Sequence, residues 1–153
     1  MAEIIPPSPH AGWNPADCNC LALRQAARHV TQYYDQHMAT VGLRSTQYSI
    51  LQRLNRLGPM SINALAGAMV LDRTTLGRNI QPLEREGLIE AKTDDADRRS
   101  KALHLTRAGK AKLAQAVKCW EAAQRGFEAS YGGERSAQMR DMMRGVVEAE
   151  LAA

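Results

Sequence analysis

The sequence predicts a mainly α-helical winged helix-turn-helix with long helices at both ends and one small β-hairpin wing. Three observations predict it. Apolar residues recur at three- and four-residue spacing through most of the 153 residues. Two short helical patterns stand in tandem in the middle of the chain. Directly after them the period falls to two, in a pair of short strands separated by a charged tip.

The elements follow in order. Asn14 suits an N-cap, Pro15 the first helical position and Asp17 the first turn. Leu23, Ala27, Val30, Tyr34 and Met38 then make one apolar stripe, and Gly42 can close the helix in a left-handed cap. A second helix begins at Ser45 with Ile50, Leu51, Leu54 and Leu57 inside, and Gly58-Pro59 stops it. Ser61 caps a third, with Ile62, Leu65, Ala66 and Met69 inward. Asp72 caps a fourth, with Leu76, Ile80 and Leu83 inward and Gly87 after its end. Pro82 lies within this fourth helix, removes one backbone hydrogen bond and predicts a bend near the last turn. Leu88–Thr93 and Lys101–Leu105 read as strands, joined by residues 94–100, which carry five charges and no large apolar group. Thr106 caps a long helix with Ala108, Leu113, Val117, Trp120 and Phe127 inside. Gly132-Gly133 breaks it, and a last helix carries Met139, Met142, Met143, Val146 and Leu151.

The expected organisation is a flexible arm over residues 1–13, where Pro6, Pro7 and Pro9 favour extended backbone, and a single domain over 14–153. Within it, helices 14–41 and 106–153 flank a lobe at 45–105. Those flanking helices carry more apolar surface than so small a lobe covers, which predicts a homodimer through them. The composition, 44% hydrophobic and 24% charged, is that of an ordinary globular chain. No apolar run is long enough for a bilayer and the N-terminus has no signal-peptide pattern, so the cytoplasm is the expected compartment and no membrane partner is expected. Three cysteines make no disulfide framework. The four histidines make no metal signature, no catalytic constellation appears, and neither metal nor cofactor nor enzymatic activity is expected.

The formal net charge is only +4, but its distribution is uneven. Residues 72–112 carry ten basic and seven acidic side chains, and arginine outnumbers lysine fifteen to five over the whole chain. Arginine is the forked cation suited to phosphates and guanine edges. At 100° per residue, the face of the fourth helix opposite Leu76, Ile80 and Leu83 presents Thr74, Arg78, Gln81 and Arg85, flanked by Arg73 and Thr75. In a helix-turn-helix this second helix enters the major groove. Arg73, Thr74, Thr75, Arg78 and Gln81 are therefore the expected base-facing residues. Arg98 and Arg99, at the hairpin tip, suit a narrow minor groove, with Asp97 expected to hold a guanidinium by a two-pronged contact. Ser45, Thr46 and Gln47, opening the second helix, are expected to meet phosphates through backbone N–H groups. The expected partner is double-stranded DNA. The bland alternative is a solvated helix face and a solubilising loop, or a winged module that binds protein instead; adjacent arginines at the tip speak for DNA.

These residues resemble the MarR family of bacterial transcriptional regulators. The resemblance rests on Leu71-Asp72-Arg73-Thr74-Thr75-Leu76, on Leu83-Glu84-Arg85-Glu86-Gly87-Leu88-Ile89, on Asp97-Arg98-Arg99-Ser100-Lys101 followed by Leu105-Thr106-Arg107-Ala108-Gly109, and on Gly42 to Tyr48. It covers residues 18 to 150. It implies a two-fold dimer built from the terminal helices, a pseudo-palindromic operator, and release by a small, often phenolic ligand or by oxidation. A repressor is the expected role. Trp13, Tyr33, His37 and Arg53 are the candidate ligand residues. Cys20, with Leu21, Ala22, Leu23, Ala26, Ala27 and Arg28, is similar to the opening of the family's organic-peroxide-sensing branch, which makes Cys20 the candidate sensing thiol and Tyr34 its candidate partner. Ser45 stands where that branch has a second tyrosine, and Asp17 opposes a thiolate. A half-buried structural role is the simpler reading of Cys18 and Cys20, and Cys119 reads as core.

Overall fold

The computed structural model describes residues 12, 14–93 and 97–151. Its element order is α1 (Asn19–Met38), α2 (Ser45–Leu57), β1 (Met60–Ser61), α3 (Ile62–Ala68), α4 (Arg73–Arg85), β2 (Ile89–Thr93), β3 (Lys101–Leu105), α5 (Arg107–Tyr131) and α6 (Gly133–Glu148), with 3-10 turns at Pro15–Asp17 and Ala39–Val41. This is the winged helix-turn-helix with long terminal helices that the sequence predicts. The chain divides into two compact units, Met1–Tyr33 and Tyr34–Ala153.

In the first unit the entry to α1 differs from expectation. The Asn14 side chain accepts the Ala16 N–H at 3.0 Å, but it caps a 3-10 turn rather than the α-helix. Cys18 is extended (φ −81°, ψ 107°), and its Sγ accepts the Leu21 N–H at 3.4 Å. Cys18 therefore stands at the N-cap of α1, and only Cys20 lies in its first turn.

In the second unit the core gathers the inner faces of α2, α3, α4 and α5 with the base of the sheet. Met38, Ile50, Leu51, Leu65, Leu76 and Ala116 are at 0% exposure, with Leu54, Ile80, Leu83 and Leu113 close behind. Leu57, expected inside, is 60% exposed, since it stands at the very end of α2 where Gly58 turns the chain away; Tyr48 is buried in the stripe's first turn instead. In α5 the buried positions are Gly109, Leu113, Ala116 and Ala123, so Ala108 lies outside the inner face and Gly109 on it. The cause is a close approach. A Cβ on Gly109 would stand 2.0 Å from the Leu88 carbonyl oxygen and 2.6 Å from Leu105 Cδ1, so only glycine lets α5 pack here. The sheet has three strands in the order β1-β3-β2, all antiparallel, with Met60 opposite Leu103 and Ala91 opposite the same residue on the other side. The short β1, which the sequence does not predict, sews the start of α3 onto the wing.

Asn14 apart, the expected caps form as read. Ser61 Oγ accepts the Ala64 N–H at 3.1 Å, Asp72 Oδ1 accepts the Thr75 N–H at 2.8 Å, and Thr106 Oγ1 accepts the Gly109 N–H at 3.0 Å. Gly42 (φ 72°) follows a final 3-10 turn. Pro82 is carried inside α4, which continues three residues beyond it to Arg85.

Candidate nucleic-acid interface

The site is built on α4. Burial of Leu76, Ile80 and Leu83 fixes the helix's rotation, and the opposite side follows from that alone: Thr74, Arg78, Gln81 and Arg85 are all exposed on it, and Arg73, at the first position of the helix, is exposed at its flank. The N-terminus of α4 is held by a reciprocal pair. Besides the backbone bond, the Thr75 hydroxyl donates to Asp72 Oδ2 at 2.5 Å. That hydroxyl bond, with backbone N–H groups behind it, holds the Asp72 carboxyl below the usual carboxylate range. Thr75 is thereby half-buried and tied into the cap, and Asn79 Nδ2 donates to the Thr75 carbonyl at 3.0 Å. Of the five residues expected to face bases, Thr75 thus braces the helix, while the other four stand clear.

The wing leaves the same lobe. Thr106 locks its base: its Oγ1 donates to the Gly87 carbonyl at 2.6 Å and lies 3.1 Å from the Leu88 carbonyl. At the tip, Arg98 and Arg99 are exposed. Asp97 does not hold a guanidinium. Its Oδ1 accepts the Arg99 backbone N–H at 3.0 Å, while its carbonyl accepts the Ser100 N–H at 3.0 Å. A short aspartate reaches the amide two residues on more easily than a side-chain terminus, so Asp97 shapes the turn and leaves both guanidiniums unengaged. Among the described residues, the side chains of Arg73, Arg78, Arg98 and Arg99 have no hydrogen bond or ion pair.

The start of α2 is occupied differently from expectation. Both the N–H and the hydroxyl of Ser45 donate to Asp35 Oδ1, at 2.7 and 2.6 Å, and Gln47 Oε1 accepts the Arg44 N–H at 2.9 Å. Asp35, ten residues upstream, already supplies the negative charge that a helix N-terminus attracts. Ser45 has no amide left for a phosphate; Thr46 is half-buried beside it.

Of the candidate ligand residues, Trp13 lies outside the described residues. Tyr33 is half-buried in the first unit, and His37 is half-buried near the end of α1. Arg53 is exposed and lines two grooves that do not include His37. One, of about 390 Å³, runs along α2 past Tyr48, Ser49, Gln52, Arg56 and Leu57. The other, of about 440 Å³, lies between α6 and the α3–α4 turn at Met69 and Val70. Cys20 is exposed. The Tyr34 hydroxyl donates to Gln124 Oε1 at 2.6 Å. Among the described residues no cluster of His, Cys, Asp and Glu could hold a metal, and no helix is long and apolar enough to cross a membrane.

A reading helix with an exposed cationic face, followed by a hairpin with an arginine-bearing tip, defines a winged-helix regulator. The MarR family model matches residues 43–101, from two residues before α2 to the first residue of β3. The chain is 31% identical to the Mycobacterium tuberculosis transcriptional regulator MosR, solved in complex with DNA, with a TM-score of 0.73 over 88% of this chain and all of that one. It is 27% identical over 135 residues to the Escherichia coli transcriptional regulator HosA, covering 84% of this chain and all of HosA. It is also 36% identical over 94 residues to a putative regulatory protein for the hcr operon of Thauera aromatica; that match takes in 61% of this chain and about half, 52%, of the Thauera protein. The chain belongs to the MarR family of transcriptional regulators, which are not enzymes.

Proposed function

We propose that the protein binds a pseudo-palindromic DNA operator as a homodimer and represses transcription until a small ligand releases it. The observation that carries the reading is the set of four guanidiniums unengaged among the described residues, two exposed on α4 and two at the wing tip, all in one lobe. Charged groups left without partners on a rigid scaffold suit an external polyanion. Arg73, Thr74, Arg78 and Gln81 would meet the major groove, and Arg98 and Arg99 the minor groove. Thr46 and Gln47 would lie against the backbone. Dimerisation through α1, α5 and α6 is supported by the apolar residues that α6 and the chain after it expose, Met142 at 61%, Val147 at 63% and Leu151 at 81%. Operation on DNA implies a cytoplasmic protein, and ligand entry is assigned to the grooves around Arg53.

The test is Arg99→Ala. The backbone N–H of Arg99, not its side chain, closes the turn with Asp97, so truncation leaves the hairpin intact. The melting temperature should be unchanged and operator affinity should fall severalfold. The slope of log K against log salt should shrink by about 0.9 for each phosphate that the side chain neutralises. Normal affinity and normal slope in a normally folded Arg99→Ala protein would remove the wing from DNA binding.

A further inference from the structure

Four side chains of α4 turn away from the core together. With Leu76, Ile80 and Leu83 inward, Thr74, Arg78, Gln81 and Arg85 fall within about 60° of one another at 100° per residue, and all four are exposed. Two neighbours with base-reading chemistry are spent inside the helix instead. The Thr75 hydroxyl donates to Asp72 Oδ2 at 2.5 Å, and Asn79 Nδ2 donates to the Thr75 carbonyl at 3.0 Å. Both are half-buried. Among the described residues, the side chains of Arg78 and Gln81 have no hydrogen bond or ion pair. The cap thus sorts α4 into residues that brace it and a stripe that is free to read.

The stripe has a register. Thr74, Arg78 and Gln81 are four and three residues apart, about 6 and 4.5 Å along the helix axis. Zinc-finger helices, whose reading residues also stand about one turn apart, take successive bases of the major groove with them. Arg85 lies a further turn along, and Arg73 lies about 100° round the helix from Thr74, so both suit the phosphates that border the groove. Each of the three readers has a best match. A guanidinium only donates, which suits guanine O6 and N7. The Gln81 amide donates and accepts, which suits adenine N6 and N7. The Thr74 hydroxyl serves any base, so its discrimination rests on its methyl, which suits the methyl of thymine. A side chain as short as threonine reaches a base only if the backbone comes close, and Gly77, with open space where a Cβ would stand, permits that. We propose that the core of each operator half-site is one G·C pair flanked by two A·T pairs, with guanine held by Arg78, adenine on one side by Gln81 and thymine on the other by Thr74. This rests on the operator reading above and names the sequence that the reading acts on.

The test selects duplexes from a randomised pool with the full chain and then titrates the chosen duplexes. The wild type should enrich a repeated half-site with that core. Arg78→Gln should move the central pair, and that pair alone, from G·C to A·T. Gln81→Arg should move one flanking pair, and that pair alone, to G·C. Each variant should favour its own core over the wild-type core by about fivefold or more. Uracil in place of the thymine facing Thr74 removes only the methyl group; it should weaken the wild type and make no difference to Thr74→Ser. All three substitutions fall at exposed positions, so melting temperatures should stay close to that of the wild type. An Arg78→Gln protein that is weakened on every duplex alike, or wild-type half-sites without a G·C pair between A·T pairs, would overturn the assignment and leave the operator reading standing. A wild type that enriches no duplex at all would sink both.

Discussion

Gly77 sits in the middle of α4, and nothing in the free chain requires a glycine there. Its φ is not positive, and a Cβ built on it meets no atom within 4 Å. A helix-interior glycine gives up about 0.5–1 kcal/mol relative to alanine. Gly77→Ala should therefore stabilise the protein by that amount, with no steric cost to set against it. For a domain of this size that raises the melting temperature by about 2–4 °C per kcal/mol. The expectation for DNA has the opposite sign. At 100° per residue, position 77 lies 40° from both Arg73 and Gln81, on a flank of α4 that the proposed docking brings against the groove wall. A methyl group there holds the helix backbone off the DNA. Operator affinity should drop about tenfold, or about 1.4 kcal/mol. The assay is thermal unfolding and operator titration on one preparation, with Gly145→Ala in α6 as the companion, since its Cβ also meets nothing and it lies outside the DNA-binding lobe. A Gly77→Ala protein that is more stable and binds the operator as before would refute the close approach.

Three further outcomes are expected from the same structure. Gly109→Ala should destabilise by about 1–3 kcal/mol or more, because its Cβ would overlap the Leu88 carbonyl, a backbone atom that cannot swing aside; chemical denaturation reads this directly. Val70→Gly should stabilise, since Val70 is the one non-glycine residue at positive φ (53°) among the described residues and a left-handed L-residue costs roughly 1–2 kcal/mol; a lower melting temperature would contradict this. Acid should loosen α4 at its start. The Asp72 carboxyl is held below its ordinary value by Thr75, so its contribution is present above the unfolded pKa and is lost as pH falls through the folded one, and Asp72→Asn should flatten that acid limb in a pH series of melting temperatures.

Much of the fold was legible because it is periodic. The inner stripes of α2, α3 and α4, and the caps at Ser61, Asp72 and Thr106, follow from local spacing, and the outward face of α4 follows from its inward one. What escaped the sequence were contacts with no period. Two residues of β1 carry no alternation to detect. Asn14-Pro15 signals a helical start but does not separate a 3-10 turn from an α-helix, so α1 begins five residues after Asn14 rather than one. Asp35 caps α2 across ten residues of chain, and nothing near Ser45 reveals that its amide is taken. The Asp97 assignment failed for a related reason: charge suggested a guanidinium partner, whereas the shorter reach was to the Arg99 amide.

The α3–α4 turn shows how a fold can be specified against a local preference. Leu71 N–H donates to the Ala66 carbonyl at 3.0 Å and Val70 N–H to the Gly67 carbonyl at 3.1 Å, the two bonds of a Schellman cap with Met69 at its Ccap. That motif wants glycine at the left-handed position, and a reader of the sequence who looks for one finds only Gly67, three residues too early. The cap forms regardless, because Leu65 and Ala66 before it and Leu76 after it are buried and fix both helices in place. The turn is then the only path between them. Burial on either side thus outweighs the roughly 1–2 kcal/mol of strain at one residue. The side chain retained at that cost is 70% exposed and lies on the wall of the groove shared with Arg53 and α6. A valine that the turn itself does not favour, set on the groove it shares with Arg53 at the entrance to α4, is a residue whose reason lies outside the turn.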